Sequence, residues 1–492
     1  MKKIVQPVLF LAALFVFLQQ TSCLAQLLMA SKTEITIDAQ NEQTNIISAG
    51  EHGILLLKEA KADKGSDSKS LSLQVLDSRL NQKAKLDLSV DDKMDFTHYY
   101  TDKDFLYLVY SQLNTEKITA FKVDLKDLSV KTNDFYASSQ VYYYESVALD
   151  GSLFLAGVKG KKGLVVKLDF DNNTGKLINL NQNDLPAFVQ HLSVIDDKIY
   201  ASLKSSDPKD LNLYYQAFNN SGNTIEKGEI TPEDGKKILE GHFSKNSNNK
   251  VIVAGTYSLK KSVQPLGIFY NELNANTQFY AFSDASGNST MDIKSKGNSE
   301  ALNYININKI YTVDNKLVAV AESYDIVQEK RSDLKNLIIQ DPNHQFLKMW
   351  AVNNMNYNDY NIHLFTQRMN DVAAYKFKSA YTFSIDKSGL KITNLDLEDQ
   401  QSDKSFNRLV SMENNGIISV INRANGEVRK FDPASMTKTA SAKKIADRDG
   451  NFVAMQTAGA SFWKDQQYLH YSLEEKEDEK GKYLLTLMKI RE

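Results

Sequence analysis

Residues 150–175 read DGSLFLAGVKGKKGLVVKLDFDNNTG. Two apolar runs, SLFLAGV and LVVKLDF, are separated by a Gly/Lys turn. Asp150-Gly151 bounds them on one side and Asp171-Asn172-Asn173-Thr174-Gly175 on the other. Each run is shorter than a typical helix, and glycine between two strand-compatible runs marks a β-hairpin. The apolar residues are nearly consecutive rather than alternating. That suits strands covered on both faces, as where sheets stack on one another.

The same unit recurs along the chain. A polar turn near residues 52, 102, 150, 196, 248, 314, 370, 414 and 464 precedes a buried run, a variable loop and a second run. Most starts are spaced close to the roughly 40–50 residues of a four-stranded propeller blade. One such unit cannot bury its own faces, whereas a ring of them can. The expected fold is therefore an all-β β-propeller. Nine starts are visible, but the stretch 314–400 is irregular and the first and last signals can share one closing blade, so seven or eight blades are expected. Thr33-Glu34-Ile35-Thr36-Ile37-Asp38 alternates polar and apolar residues, as a half-exposed strand does. It is expected to lie outermost beside Tyr483–Met488 and so close the ring through N- and C-terminal strands. No Pro/Ser/Gly-rich linker divides the chain. The expected organisation is a signal peptide over 1–25, an N-terminal segment with the closing strand over 26–44, and one propeller over 45–491.

Lys2 and Lys3 followed by PVLFLAALFVFL form a basic and then an apolar segment, with a small-residue cleavage site at Ala25-Gln26. Export to the periplasm or beyond is expected. The rival processing route anchors the protein by lipid at Cys23, but Gln20-Thr21-Ser22 lacks the aliphatic residue that route uses. Cys23 is the only cysteine, so a chain cut after Ala25 has no disulfide, thiol nucleophile or thiolate ligand. Without Lys2 and Lys3 the charges are 57 basic against 61 acidic. No region is basic enough for nucleic acid. No second apolar stretch is long enough for a transmembrane helix.

The phrases VIVAGTYSLKK, PLGIFYNEL and LVAVAESYDIV, within residues 240–350, resemble uncharacterised secreted β-propeller-like proteins of Bacteroidota-type bacteria. The Ala25-Gln26 junction resembles signal cleavage sites of that group. The resemblance implies a fold and an export route, and it brings no activity and no functional residue.

Motifs of known chemistry are missing. Trp463-Lys464-Asp465 is not a Trp-Asp pair. Ser384–Gly389 approaches a sialidase-type Asp-box with its glycine one place late, and reads as a turn. Asp169–Asn173 has the 1-3-5 oxygen spacing of a calcium loop, but Leu180 stands where the bidentate Glu belongs; Asp447–Asn451 is shorter still. GVKGKKG (157–163) leads into a strand, where a phosphate loop needs a helix. The seven histidines (52, 98, 191, 242, 344, 363 and 470) are scattered, with no two within five residues. No catalytic residue, metal ligand or cofactor is therefore assigned. The ligand-binding candidates are aromatic or acidic positions at strand ends: Tyr142 and Tyr144 in a Tyr cluster, Tyr257 after one buried run, and Glu322 and Tyr324 after another. For each, strand filling or a solvated strand end is the plainer reading. Function is expected to be that of an exported, monomeric, non-catalytic scaffold offering a loop face to a peptide, glycan or envelope protein. The alternative is a propeller hydrolase or lyase acting on an extracellular polymer. Two or more carboxylates, or a histidine cluster, at the central channel would mark the enzyme.

Overall fold

A computed structural model describes residues 27–491 with breaks, the longest being 181–186, 283–303, 329–371, 398–408 and 439–444. Eight sheets form a ring, the arrangement of a β-propeller. Among the described residues there is no helix. Blades 1 to 4 have four antiparallel strands each and begin at Glu42, Asp95, Tyr142 and Ala187. Blade 5 has a broken first strand, Lys236–Ile238 and His242–Lys245, with both pieces paired to Val251–Leu259. Blade 6 comprises Tyr304–Val313, Lys316–Gln328, Val372–Asp386 and Gly389–Asn394, and blade 7 begins at Leu409. From blade 2 to blade 8, first strands of neighbouring blades touch one another, which makes them the inner strands.

The 150–175 stretch forms the expected hairpin. Ser152–Lys159 pairs with Lys162–Asp169, from Leu153 opposite Leu168 to Lys159 opposite Lys162. Asp150-Gly151 is the two-residue turn that joins this hairpin to its inner strand, with φ of +47° and +78°. Asp314-Asn315 and Asn415-Gly416 repeat that geometry in blades 6 and 7. Two left-handed residues in a row match the twist of the flanking strands, which is why Asp, Asn and Gly recur there. Asp169 is a turn residue as well. Its carboxylate accepts the ammonium of Lys167 and the backbone N–H groups of Asn172 and Asp171, and Lys167 and Asn172 hold it well below the usual carboxylate range.

Packing explains the unbroken apolar runs. In Phe105–Ser111, residues Leu106, Leu108 and Tyr110 enter the core shared with blade 1, while Tyr107 and Val109 enter the core shared with blade 3. In blade 3, Leu153 and Leu155 face blade 2, and Phe154, Ala156 and Val158 face blade 4. Each buried side chain of this size stabilises by roughly 1.5–3 kcal/mol. Every blade-to-blade junction has such a core, and the eighth closes the circle. There Ile54, Leu56, Leu76 and Leu80 of blade 1 pack on Ile37, Trp463, Leu469, Leu485 and Leu487 of blade 8.

Blade 8 is completed by the N-terminal strand. Leu27–Asp38 pairs antiparallel with Lys482–Arg491, from Leu28 opposite Arg491 to Asp38 opposite Lys482. Ile37 is buried, while Lys32, Glu34 and Thr36 are exposed. The expected closing strand is present and is longer than 33–38. Short strands Ile445–Ala446 and Phe452–Val453 extend this sheet outward.

The start expected near 370 does not begin a blade. Val372–Asp386 is the third strand of blade 6, paired along Lys316–Gln328. The starts near 314 and 370 thus belong to one blade, and nine signals become eight blades. Nor do the first and last signals share a blade: Ile54–Ala60 lies in blade 1 and Tyr468–Glu475 in blade 8. The expected signal peptide, Cys23 and the whole Asp447–Asn451 turn lie outside the described residues.

Candidate functional site on the inner strands

The inner strands of blades 2 to 6 share an irregularity. Each has one residue more than the strand it pairs with. The register shifts between Phe96 and His98, Tyr143 and Glu145, Val189 and His191, and Ile307 and Lys309. In blade 5, Ile238 opposes Tyr257 and His242 opposes Ala254, so the break there also adds one residue. A bulge of this kind re-aims side chains.

Three of the extra residues reach sideways to the next inner strand. The Tyr144 hydroxyl donates to the Val189 carbonyl at 2.6 Å, the Gln190 amide to the Leu239 carbonyl at 2.7 Å, and the Asn308 amide to the Leu409 carbonyl at 3.0 Å. Each bond satisfies a backbone acceptor and ties two blades together. Immediately after the extra residue stands an ionisable one in each of these five blades: His98, Glu145, His191, His242 and Lys309.

Three of these ionisable groups, together with Glu240, converge where blades 3, 4 and 5 meet. Glu145 Oε1 lies 3.6 Å from His191 Nδ1. The His191 and His242 rings have centroids 3.5 Å apart. Glu240 Oε2 lies 3.6 Å from His242 Nε2, and Glu240 Oε1 accepts a hydrogen bond from Thr256 at 3.1 Å. One donor atom from each of His191, Glu240 and His242 lies within 4.8 Å of the others. Gly255 permits this approach, because a Cβ there would fall 1.9 Å from the Glu240 carbonyl oxygen. Lys309 occupies the matching place on the next inner strand. It is reached by solvent but flanked by protein, and desolvation holds its pKa below the usual lysine value.

None of the sequence-derived candidates is among these ionisable groups, although Tyr142 and Tyr144 share the inner strand with Glu145. Tyr144, Tyr257 and Tyr324 are all fully buried, and desolvation raises the pKa of Tyr257 to about 12. Tyr257 packs edge-on against Phe279 within blade 5. Tyr324 joins Tyr144, Phe188 and Tyr214 in one apolar cluster, so the long second strand of blade 6 reaches to blades 3 and 4. Glu322 is wholly buried two residues before it. Tyr142 sits on the inner strand opposite Val158, and its side chain lies outside the described residues. Of the five, the structure brings together Tyr144 and Tyr324. A separate crevice of about 930 Å³ between blades 5 and 6 is lined by Asn246, Tyr270, Glu272, Thr312, Asp314 and Lys316, and contains none of the ionisable inner-strand groups.

No protein-family model matches the chain, and no curated protein matches it in sequence. Solved structures resemble it at the level of fold. An oligogalacturonate lyase in complex with manganese is 12% identical, with a TM-score of 0.40 over 94% of this chain and 99% of that one. A putative 6-phosphogluconolactonase from Bacteroides uniformis is 10% identical, with a TM-score of 0.38 over 82% and 97%. The β-propeller domain of the Trilobed protease from Pyrococcus furiosus is 10% identical, with a TM-score of 0.34 over 81% and 97%.

Proposed function

We propose that this protein is an exported propeller enzyme, a hydrolase or lyase acting on an extracellular polymer at the inner-strand site of blades 3 to 6. One observation carries the reading. Two imidazoles and two carboxylates from three adjacent blades are gathered on the inner strands, with a lysine at the matching position of the next blade. A surface made only for docking has no need of such a cluster in a partly desolvated place. Hydrolytic and eliminative cleavage both need groups of this kind held in mutual contact. Lys309 suits a substrate with anionic or polyhydroxylated units. Export rests on the basic and apolar N-terminal segment and the Ala25-Gln26 junction.

The test is to incubate the protein with a panel of neutral and acidic polysaccharides and peptides, and to measure new reducing ends, unsaturated ends or free amines. Cleavage of one polymer is expected, and Lys309→Ala should weaken it chiefly through KM. A polymer that is bound, released on Lys309→Ala and never cleaved would replace this reading with the non-catalytic scaffold.

A further inference from the structure

We propose that His191, Glu240 and His242 form a mononuclear site for a divalent first-row transition ion, with Zn²⁺ the ion favoured by the donor set. Two imidazole nitrogens and one carboxylate oxygen are a known combination for zinc, and three protein ligands leave a fourth position for water or substrate. Ligand atoms at about 2.0–2.1 Å from a tetrahedral ion lie about 3.3–3.4 Å from one another. The 3.6 Å between Glu240 Oε2 and His242 Nε2 is close to that separation. It is too long for a hydrogen bond between the two.

A second observation points to a ligand. His242 is 8% exposed and Glu240 is 5% exposed, and the buried Nε2 of His242 has no hydrogen-bond partner. A buried ring nitrogen without a partner is costly unless something else satisfies it. A metal ion would do so and would also offset the burial of the Glu240 charge.

The surroundings hold the donors in place. Gln190 ties the strand carrying His191 to the Leu239 carbonyl, one residue before Glu240. Thr256 fixes one oxygen of Glu240 and leaves the other facing His242. Glu145 Oε1 lies 3.6 Å from Nδ1 of His191, a charge contact rather than a hydrogen bond, and Nε2, the other ring nitrogen, is the coordinating atom in this assignment. A carboxylate behind a ligating histidine orients the ring and raises its basicity. Glu145 is thus a positioning residue rather than a ligand.

The experiment uses the full exported chain, stripped with a chelator and then dialysed against Zn²⁺ or Co²⁺. Metal content should reach one ion per chain. His191→Ala and His242→Ala should lose it while circular dichroism and melting show a folded propeller. Glu145→Gln should keep the ion with affinity lower by about 10- to 100-fold. His52→Ala, on another blade, should leave binding unchanged. If the histidine variants do not fold, the visible spectrum of Co²⁺ in the parent decides. Intense bands of four-coordinate cobalt support the site, and the weak bands of solvated cobalt overturn it. Absence of stoichiometric metal in the folded parent, or its retention in both histidine variants, also overturns it. Metal content is read without substrate. A loaded but inert protein would refute the catalytic reading alone, and a metal-free active one would refute the metal site alone.

Discussion

His470 provides a measurable account of how one blade junction responds to acid. It lies on Tyr468–Glu475 of blade 8, opposite Ala460 and Met488, and is 1% exposed. Neither ring nitrogen has a hydrogen-bond partner. Gly426 of blade 7 sits against the ring, since a Cβ at that glycine would fall 2.2 Å from Cε1. Burial without a counter-charge disfavours the imidazolium and lowers the pKa from 6.5 to about 4. The unfolded chain therefore takes up a proton at a higher pH than the folded one. The stability this histidine contributes is fully present above 6.5 and is lost as the pH falls towards 4. At 1.36 kcal/mol for each factor of ten, that loss is about 3 kcal/mol.

Other groups also titrate in this range, so the measurement is a difference. Urea unfolding of the parent and of His470→Leu at intervals from pH 7.5 to pH 4 gives the stability gap between them. The gap should move by about 3 kcal/mol in favour of the leucine variant as the pH falls. Leucine fills a similar volume and does not titrate, so the intrinsic cost of the substitution cancels from the trend. A gap independent of pH would show that the ring is hydrated or paired in solution and would refute the desolvation argument.

Lys204 should act in the alkaline range. It is buried, donates to the Asn212 carbonyl at 2.7 Å, and is pushed by desolvation and by Lys237 from 10.5 to about 7. The parent should therefore gain about 3 kcal/mol over Lys204→Met between pH 7 and pH 10 in chemical denaturation. For the closing strand, Ile37→Ala should cost about 2–4 kcal/mol in denaturant unfolding, while the exposed Glu34→Ala should change stability by less than about 0.5 kcal/mol. Deletion of residues 26–40 should lower Tm clearly, and an unchanged Tm would mean the strand does not close the ring in solution. Limited proteolysis should leave one resistant core with cuts near 326–340 and 474–482. Two fragments with separate melting transitions would refute a single propeller domain.

The fold was legible because its signals are local. A run such as FLYLVY is apolar at every position because both faces of its blade are covered, and Asp150-Gly151 or Asn415-Gly416 announces a two-residue turn. The closing strand could be read from the alternation in residues 33–38. The false start near 370 arose from the same signals. Asn370-Asp371 ahead of VAAYKF imitates an inner-strand turn, and nothing local reveals that this run is a third strand whose partner, Lys316–Gln328, lies far earlier in the chain. The aromatic candidates Tyr144, Tyr257 and Tyr324 are core residues in the structure for a related reason. A strand end in a blade is covered by its neighbours unless the loop beyond it stands clear.

The ionisable site was hidden by the interval at which it repeats. Histidines tested for ligand spacing within five residues look scattered, because that test belongs to helices, where i and i+4 share a face. A propeller gathers its ligands at the blade period. His98, Glu145, His191 and His242 are 47, 46 and 51 residues apart, and Lys309 follows at 67. Read at that interval, Phe96-Thr97-His98, Tyr143-Tyr144-Glu145, Val189-Gln190-His191 and Ile307-Asn308-Lys309 are one pattern: an apolar residue, a side chain able to hydrogen-bond, and an ionisable group. Glu240 could not be found this way, since it enters through the break in the blade 5 strand that Gly255 permits. The pattern has a mechanical basis. One extra residue per inner strand frees a side chain to reach the next blade and displaces the following residue from the regular pleat. Three of the bonds that tie neighbouring blades, from Tyr144, Gln190 and Asn308, thus come from the same irregularity that sets the ionisable groups in place. Removing such a bulge should disturb both together, whereas trimming an ionisable side chain should leave the ring intact.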